Sequence, residues 1–213
     1  LRNNTTGANN TAVGWKTGFA ITTGTNNTYV GREAGYNTTT GSYNAIIGQA
    51  CRPDGVNSNY AMGIGYNLDC GGSYTTLGIN TTDTRLNHGT TNWVTVSDER
   101  YKKDITDAVA GLSFINALQP RTFNYKAKGE LPTTFRAYEE GSTEVFKDTT
   151  TQHGFIAQEV KAAMDADSSI KDGFKMWSER TDGSQEVGDA ALIPILVKAI
   201  QELSARIKVL EGE

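Results

Sequence analysis

Ser97 and Lys102 stand five residues apart, with Asp98 and Arg100 between them. A serine hydroxyl is a weak nucleophile until a base takes its proton. A lysine amine is that base only when neutral, a state favoured by burial or by nearby positive charge. Arg100 and Lys103 provide such charge on either side of Lys102. On a helix, five residues turn by about 500°, which would leave the two side chains about 140° apart. The pair therefore needs Ser97 on an extended or turn segment beside Lys102, or Lys102 from another chain. Asp98 is placed either to orient a member of the pair or to cap the next turn. Taken by itself a Ser-x4-Lys spacing is weak, since most such pairs lie on exposed surface.

The pair lies at a change of composition. Residues 1–96 hold five Lys/Arg and four Asp/Glu, whereas residues 97–213 hold 15 and 20. The first part is rich in Gly, Asn and Thr; the second is charged and helix-forming. The order Ser97-Asp98-x-Arg100-x-Lys102-x-x-Ile105 resembles the start of the self-cleaving intramolecular chaperone domains of phage tail fibres and tailspikes, peptidase family S74. Two further stretches resemble the same family. One is Leu118-Gln119-Pro120 followed by Phe123-x-Tyr125; the other is Gly154-Phe155-Ile156-Ala157-Gln158-Glu159-Val160. The resemblance implies that Ser97 and Lys102 are a catalytic dyad and that the chain is cut between Val96 and Ser97. Attack of Ser97 on the Val96 carbonyl would give an ester that water opens, once per chain. Asp98 and Arg100 are the supporting candidates. His153 reads as a polar residue at a strand edge, because no acidic partner to orient it is evident.

The uncharged part is a repeat. Gly14, Gly31, Gly48 and Gly65 are 17 apart, as are Gly7, Gly24 and Gly41, and Asn10, Asn27 and Asn44. A worn copy, Tyr60 to Gly65, and an early one, Tyr74 to Gly78, come after them. A short fixed period predicts stacked units too small to bury a face alone. The apolar runs, such as Ala12-Val13 and Ala45-Ile46-Ile47, are of strand length. The Asn-x-Thr sequences read as turns. So little apolar material per unit points to a core shared by three chains, with a single-chain β-solenoid as the alternative. The pattern resembles the β-roll or β-prism repeats of phage fibres and trimeric adhesins. Trp93, Val94 and Val96 predict a last strand up to Ser97.

The charged part predicts a compact α+β module. Thr106-Asp107 offers a helix start, with Val109, Leu112, Ile115 and Leu118 as its apolar face and Pro120 as its stop. Residues 121–126 alternate as a strand. Residues 128–152 lack periodicity, and the family resemblance gives them the role of a protrusion along the folding fibre. Phe174 to Ser178 and Thr181 to Ser184 read as a hairpin about Asp182-Gly183. After Asp189, a candidate cap, Ile193, Leu196, Ile200, Leu203, Ile207 and Leu210 form an a/d heptad seam, with regular helix beginning near Pro194.

The fold class expected is thus an all-β, trimeric β-roll or β-prism repeat over 1–96, then an α+β chaperone domain over 97–213 ending in a long coiled-coil helix. A net charge of −4 without a basic run argues against a nucleic-acid partner. No apolar stretch is long enough to span a bilayer. Cys51 and Cys70 fit neither a disulfide scaffold nor a four-ligand metal site and read as small buried residues; no metal or other cofactor is expected. Leu1 to Thr5 do not read as a signal peptide, so a fragment of a longer protein is expected. The expected function is the C-terminal region of a virion tail fibre or tailspike, a homotrimer that meets a host-surface receptor or glycan and whose chaperone releases itself. The alternative is a trimeric adhesin with a permanent, uncut trimerisation cap. An ordinary hydrolase is disfavoured by the lack of a nucleophile elbow, metal cluster or paired-acid site in 1–96.

Overall fold

The 17-residue period becomes a stack of short strands. In the computed structural model, which describes residues 1–170 and 173–212, the chain forms two units, Leu1–Asp104 and Ile105–Glu213. The first holds β1 (Thr11–Val13), β2 (Thr28–Val30), β3 (Ala45–Ile47), β4 (Arg52–Pro53), β5 (Met62–Tyr66), β6 (Asp69–Cys70), β7 (Tyr74–Ile79), β8 (Thr82–Asn87) and β9 (Trp93–Val94). One sheet runs β1-β2-β3-β5-β7-β8-β9, parallel as far as β7 and antiparallel after it. Each strand pairs with its own equivalent one repeat on: Thr11 with Thr28, Thr28 with Ala45, Ala45 with Met62. The early fifth copy pairs in the same register, Met62 with Thr75. On a second column β4 pairs with β6.

This is a solenoid built within one chain, which corrects the expectation of a core that three chains must share. Ile21, Tyr29, Ala34, Ile46, Cys51, Ala61, Leu68 and Cys70 are fully buried and form one cluster. Few apolar residues per layer suffice for two reasons. Each layer is covered above and below by the next, and the inward Asn side chains are satisfied by their own copies. Asn27 Oδ1 accepts from the Asn44 backbone N–H and from Asn44 Nδ2, both at 3.0 Å. Asn27 Nδ2 in turn donates to Asn10 Oδ1 at 3.0 Å and to the Gly41 carbonyl at 2.9 Å. Asn44 Oδ1 accepts from the Ala61 N–H at 2.8 Å. The periodic Asn residues are therefore an internal ladder. The turn role falls to their neighbours Asn9 and Asn26, both in the left-handed region.

Gly48 shows why the periodic glycines recur. Its φ is +127°, and a Cβ there would collide with the Gly65 carbonyl of the next layer. Both cysteines are free and buried. Desolvation by burial pushes the Cys70 thiol up to about 12, so it packs as an inert apolar group.

The second unit holds α1 (Leu112–Ala117), β10 (Arg121–Phe123), β11 (Gln152–Gly154), α2 (Ala157–Ala166), β12 (Trp177–Glu179), β13 (Gln185–Val187) and α3 (Ile193–Glu211). Phe114, Val160, Met176, Leu192 and Ile195 centre its core, with Phe114 edge-on to Phe174 at 5.8 Å. Burying a side chain the size of Phe114 contributes about 2–3 kcal/mol. β12 and β13 form the expected hairpin, with Gly183 at φ +81° in its turn.

Helix α1 is shorter than expected. It starts at Leu112, and Val109 is left exposed. The reason lies 90 residues away, where Glu202 of α3 accepts the Leu112 N–H at 2.9 Å. That remote carboxylate takes the capping role that Thr106-Asp107 offers in the sequence. Gly111 leaves room for it, since a Cβ there would stand 2.6 Å from Glu202 Oε1 and the carboxylate would have to shift. Asp189 does not cap α3 either: it opens a 3-10 turn, Asp189–Leu192, and Pro194 sits in the first turn of the helix.

Residues 128–152 form an ordered arm between β10 and β11. Ala127 bridges Val145, and Lys128 N–H donates to the Glu144 carbonyl at 2.8 Å. Lys128 Nζ binds Glu144 at 2.7 Å and Glu139 at 3.3 Å. Tyr125 stands edge-on to both Phe123 and Phe146. The Arg136 N–H donates to Asp182 Oδ2 in the β12–β13 turn. None of these pairings has a period, so the sequence pattern does not reveal them. Among the described residues no helix is long and apolar enough to cross a membrane.

Candidate functional site: the Val96–Ser97 junction

The junction is positioned by the end of the sheet. β8 and β9 pair antiparallel, Arg85 with Val94 and Leu86 with Trp93. Two threonines extend the grip: Thr84 Oγ1 donates to the Val94 carbonyl at 3.3 Å, and Thr95 Oγ1 to the Asp83 carbonyl at 3.0 Å. The last strand thus ends at Val94, two residues short of the expected limit, and the Thr95 side chain tethers the chain just beyond it.

A 3-10 turn, Glu99–Tyr101, comes next. Asp98 is its N-cap: Oδ1 accepts the Arg100 N–H at 2.9 Å. The same carboxylate binds the Arg100 guanidinium through Nε at 2.9 Å and Nη2 at 2.6 Å. The hydrogen bond from the Arg100 side chain, then that from its backbone, holds the Asp98 carboxyl below its ordinary range. The Lys102 N–H closes the turn on the Glu99 carbonyl at 2.8 Å, and Lys102 itself is extended. A tight turn between two extended residues is the geometry that folds position 102 back on position 97. Lys102 Nζ donates to Ser97 Oγ at 2.7 Å. Ser97 and Lys102 are therefore in contact within one chain. Of the two arrangements open from the sequence, a non-helical Ser97 beside Lys102 of the same chain is the one adopted. Of the two placements open for Asp98, it takes the cap.

Val96, Ser97 and Lys102 are all exposed in the single chain. An open groove of about 730 Å³ lies beside Val96; Thr95, Val96 and Tyr101 line it together with Leu77, Arg52 and Arg85. Its charges are paired, Arg52 with Asp69 at 2.9 Å and Arg85 with Asp83 at 2.7 Å. Sequence reasoning missed the groove and the two threonine clamps. Thr84 and Thr95 carry no spacing signal, and Arg52 comes from a layer some forty residues earlier. His153 lies exposed on β11, opposite Thr122. Among the described residues no cluster of metal-ligating side chains is present.

Residues 97–167 match the family model of Peptidase_S74, described as the chaperone of endosialidase. The match starts on Ser97 and runs through the contact pair, α1, β10, the arm and β11 to the end of α2. It supports a chaperone domain of the tail-fibre type in this part of the chain. No curated protein and no solved structure matches the chain.

The joint between β11 and α2 has its own lock. Arg121 binds Glu159 in a bidentate pair, Nε to Oε2 at 3.0 Å and Nη2 to Oε1 at 2.8 Å, which ties β10 to the first turn of α2. That pair explains the need for Glu159 in the Gln-Glu-Val stretch: it faces the strand and sits where a helix favours negative charge.

Proposed function

We propose that the chain is the C-terminal region of a phage tail fibre or tailspike, in which residues 97–213 help the β-repeat fold as a homotrimer and then leave by self-cleavage at Val96–Ser97. The observation that carries this reading is the 2.7 Å contact between Lys102 Nζ and Ser97 Oγ at the first residue of the family match. In this reading Ser97 Oγ adds to the Val96 carbonyl carbon and its proton passes to neutral Lys102. The C–N bond breaks as the proton returns to the Ser97 nitrogen. Water then opens the ester, leaving a carboxylate on Val96 and a free amine and hydroxyl on Ser97. Asp98 and Arg100 support the dyad by fixing the turn.

A lysine base must be neutral, and burial is the strongest means to that end. The dyad is exposed in the single chain, so neighbouring chains have to cover it. Cutting then comes after assembly and not the reverse. A helper that aligns three chains lowers the cost of bringing the folded repeats together, and after release the fibre persists by slow unfolding.

The trimer reading is supported by α3. Leu192 just before it and Ile195 within it pack in the core of the chain's own unit, and Ala199 is buried. Ile193, Leu196, Ile200, Leu203, Ile207 and Leu210 are 41–85% exposed, so the heptad seam is free for other copies. The mature fibre belongs to the virion and meets a host receptor or glycan, with no nucleic acid and no membrane insertion involved. The test is a denaturing gel of the purified chain. Two products divided near residue 96 are expected, whereas one intact, assembled product would favour the uncut adhesin cap.

A further inference from the structure

The first unit leaves a second apolar surface unexplained. On the sheet the side chains alternate, and the outward ones stack in register: Val13 beside Val30, Val30 beside Ile47, Ile47 beside Ile64, Ile64 beside Leu77. A parallel rung joins Tyr66 to Ile79, and Met62 pairs with Ala45. Val13, Ile47, Met62, Ile64, Tyr66, Leu77 and Ile79 are each 37–57% exposed. At roughly half of the ~200 Å² that a large side chain offers, they present on the order of 700 Å², near the ~800 Å² per partner of an ordinary interface. A continuous apolar area of that size is unusual for a surface that stays in water.

The face is also free of charge on these strands, from Thr11 to Ile79. Identical surfaces can therefore meet without opposing like charges. At the start of the strand its apolar character peaks in the layers of β3 and β5. The outward residue there is Thr11, then Thr28, then Ala45, then Met62, and Thr75 in β7. Two residues before it stand Asn9 and Asn26 in the first two layers, but Tyr43 and Tyr60 in the next two, all four with φ between 57° and 61°. Asn tolerates that left-handed backbone, whereas a bulky aromatic residue is strained in it. The two tyrosines stack on each other at 5.1 Å and stay about half exposed. Strain accepted to hold two flat apolar rings beside Ala45 and Met62 makes sense on a face that is to be covered.

We propose that the outer face of the parallel sheet is a contact surface between copies of this chain, closest at the layers of β3 and β5. It rests on the self-assembly reading above but is separate from the α3 seam. It gives the β-repeat its own contact, one that outlasts release of residues 97–213.

The test uses the whole chain carrying Ser97→Ala, so that it stays in one piece. Ile64→Cys and, as a control, Thr23→Cys are made in it and treated with a short bis-maleimide; the native cysteines are fully buried. Thr23 is exposed in a turn away from the ladder. Copies held face to face should link through position 64 roughly tenfold faster than through position 23. Light scattering on the same samples reports assembly. An assembled protein that links equally at both positions, or at neither, overturns the proposed face and leaves the assembly reading standing. A single copy in solution overturns both.

Discussion

Asn27→Ala is the substitution that most severely tests the single-chain core. Asn27 is fully buried, and its side chain joins three layers. Its removal takes the acceptor from the Asn44 N–H at 3.0 Å and the side-chain donor from the Gly41 carbonyl at 2.9 Å. It also breaks the 3.0 Å link to Asn10. Asn44 Nδ2 keeps its bond to the Ser58 carbonyl at 2.9 Å, so that group is not orphaned. Two buried groups without a partner cost about 1–3 kcal/mol each, so a loss of about 2–6 kcal/mol is expected. Asn10 caps the same ladder in the first layer, where it is half-buried and water can replace it. Asn10→Ala should cost about 1 kcal/mol. Urea unfolding of both variants, in the Ser97→Ala background, measures the difference as a shift in midpoint at unchanged slope. A cost for Asn27→Ala below about 1 kcal/mol, or no larger than that of Asn10→Ala, would refute the ladder as a stabilising element.

Single contacts carry the other expected outcomes. Glu202→Ala should cost about 1 kcal/mol through loss of the α1 cap, and Gly111→Ala should cost more in the parent than in the Glu202→Ala background, because the clash is with that carboxylate; a double-mutant cycle by denaturation checks it. Hydrogen bonds from the Ser184 hydroxyl, then from the Ser184 and Arg136 N–H groups, lower the Asp182 carboxyl to about 2 from 3.8. A lowered folded value means that this stabilisation is present above about pH 4 and is lost as pH falls through about 2, and the Ser184 amide resonance of the folded protein should titrate with a midpoint near pH 2 and stay flat in Asp182→Asn. Ile200→Asp with Leu203→Asp should abolish assembly through α3 while leaving its helix content, since both side chains face solvent in the single chain; light scattering and circular dichroism read the two effects.

Much of this architecture is legible in the residues, and the exceptions have physical causes. A 17-residue period of Gly and Asn locates the strands of the stack, because equivalent residues pair with one another. It does not show that Asn10, Asn27 and Asn44 point inward, since Asn more often serves in turns; counting only apolar residues then makes the core look too small for one chain. The α1 start is misplaced in the sequence because its cap comes from Glu202, and no local pattern carries a contact over 90 residues. The α3 seam is visible as heptads, yet the offset face of Leu192, Ile195 and Ala199 is not. At the junction, the spacing of Ser97 and Lys102 rules out a shared helix face, and a one-turn 3-10 segment supplies the needed reversal. The groove beside Val96 depends on tertiary stacking of β4, β6, β7 and β8 and has no signature.

Self-cleavage between Val96 and Ser97, with Ser97 as nucleophile and Lys102 as base, is tested most directly by intact-mass spectrometry of four purified proteins: the parent, Ser97→Ala, Lys102→Ala and Lys103→Ala. A fragment of residues 97–213 with a new N-terminus at Ser97 is expected in the parent and in Lys103→Ala, and whole chains in Ser97→Ala and Lys102→Ala. Ser97→Ala and Lys102→Ala should still assemble as whole chains by light scattering, since neither member of the dyad packs in a core. Efficient cutting in Ser97→Ala would contradict the mechanism outright. Equal loss of cutting in Lys102→Ala and Lys103→Ala would contradict the role given to Lys102.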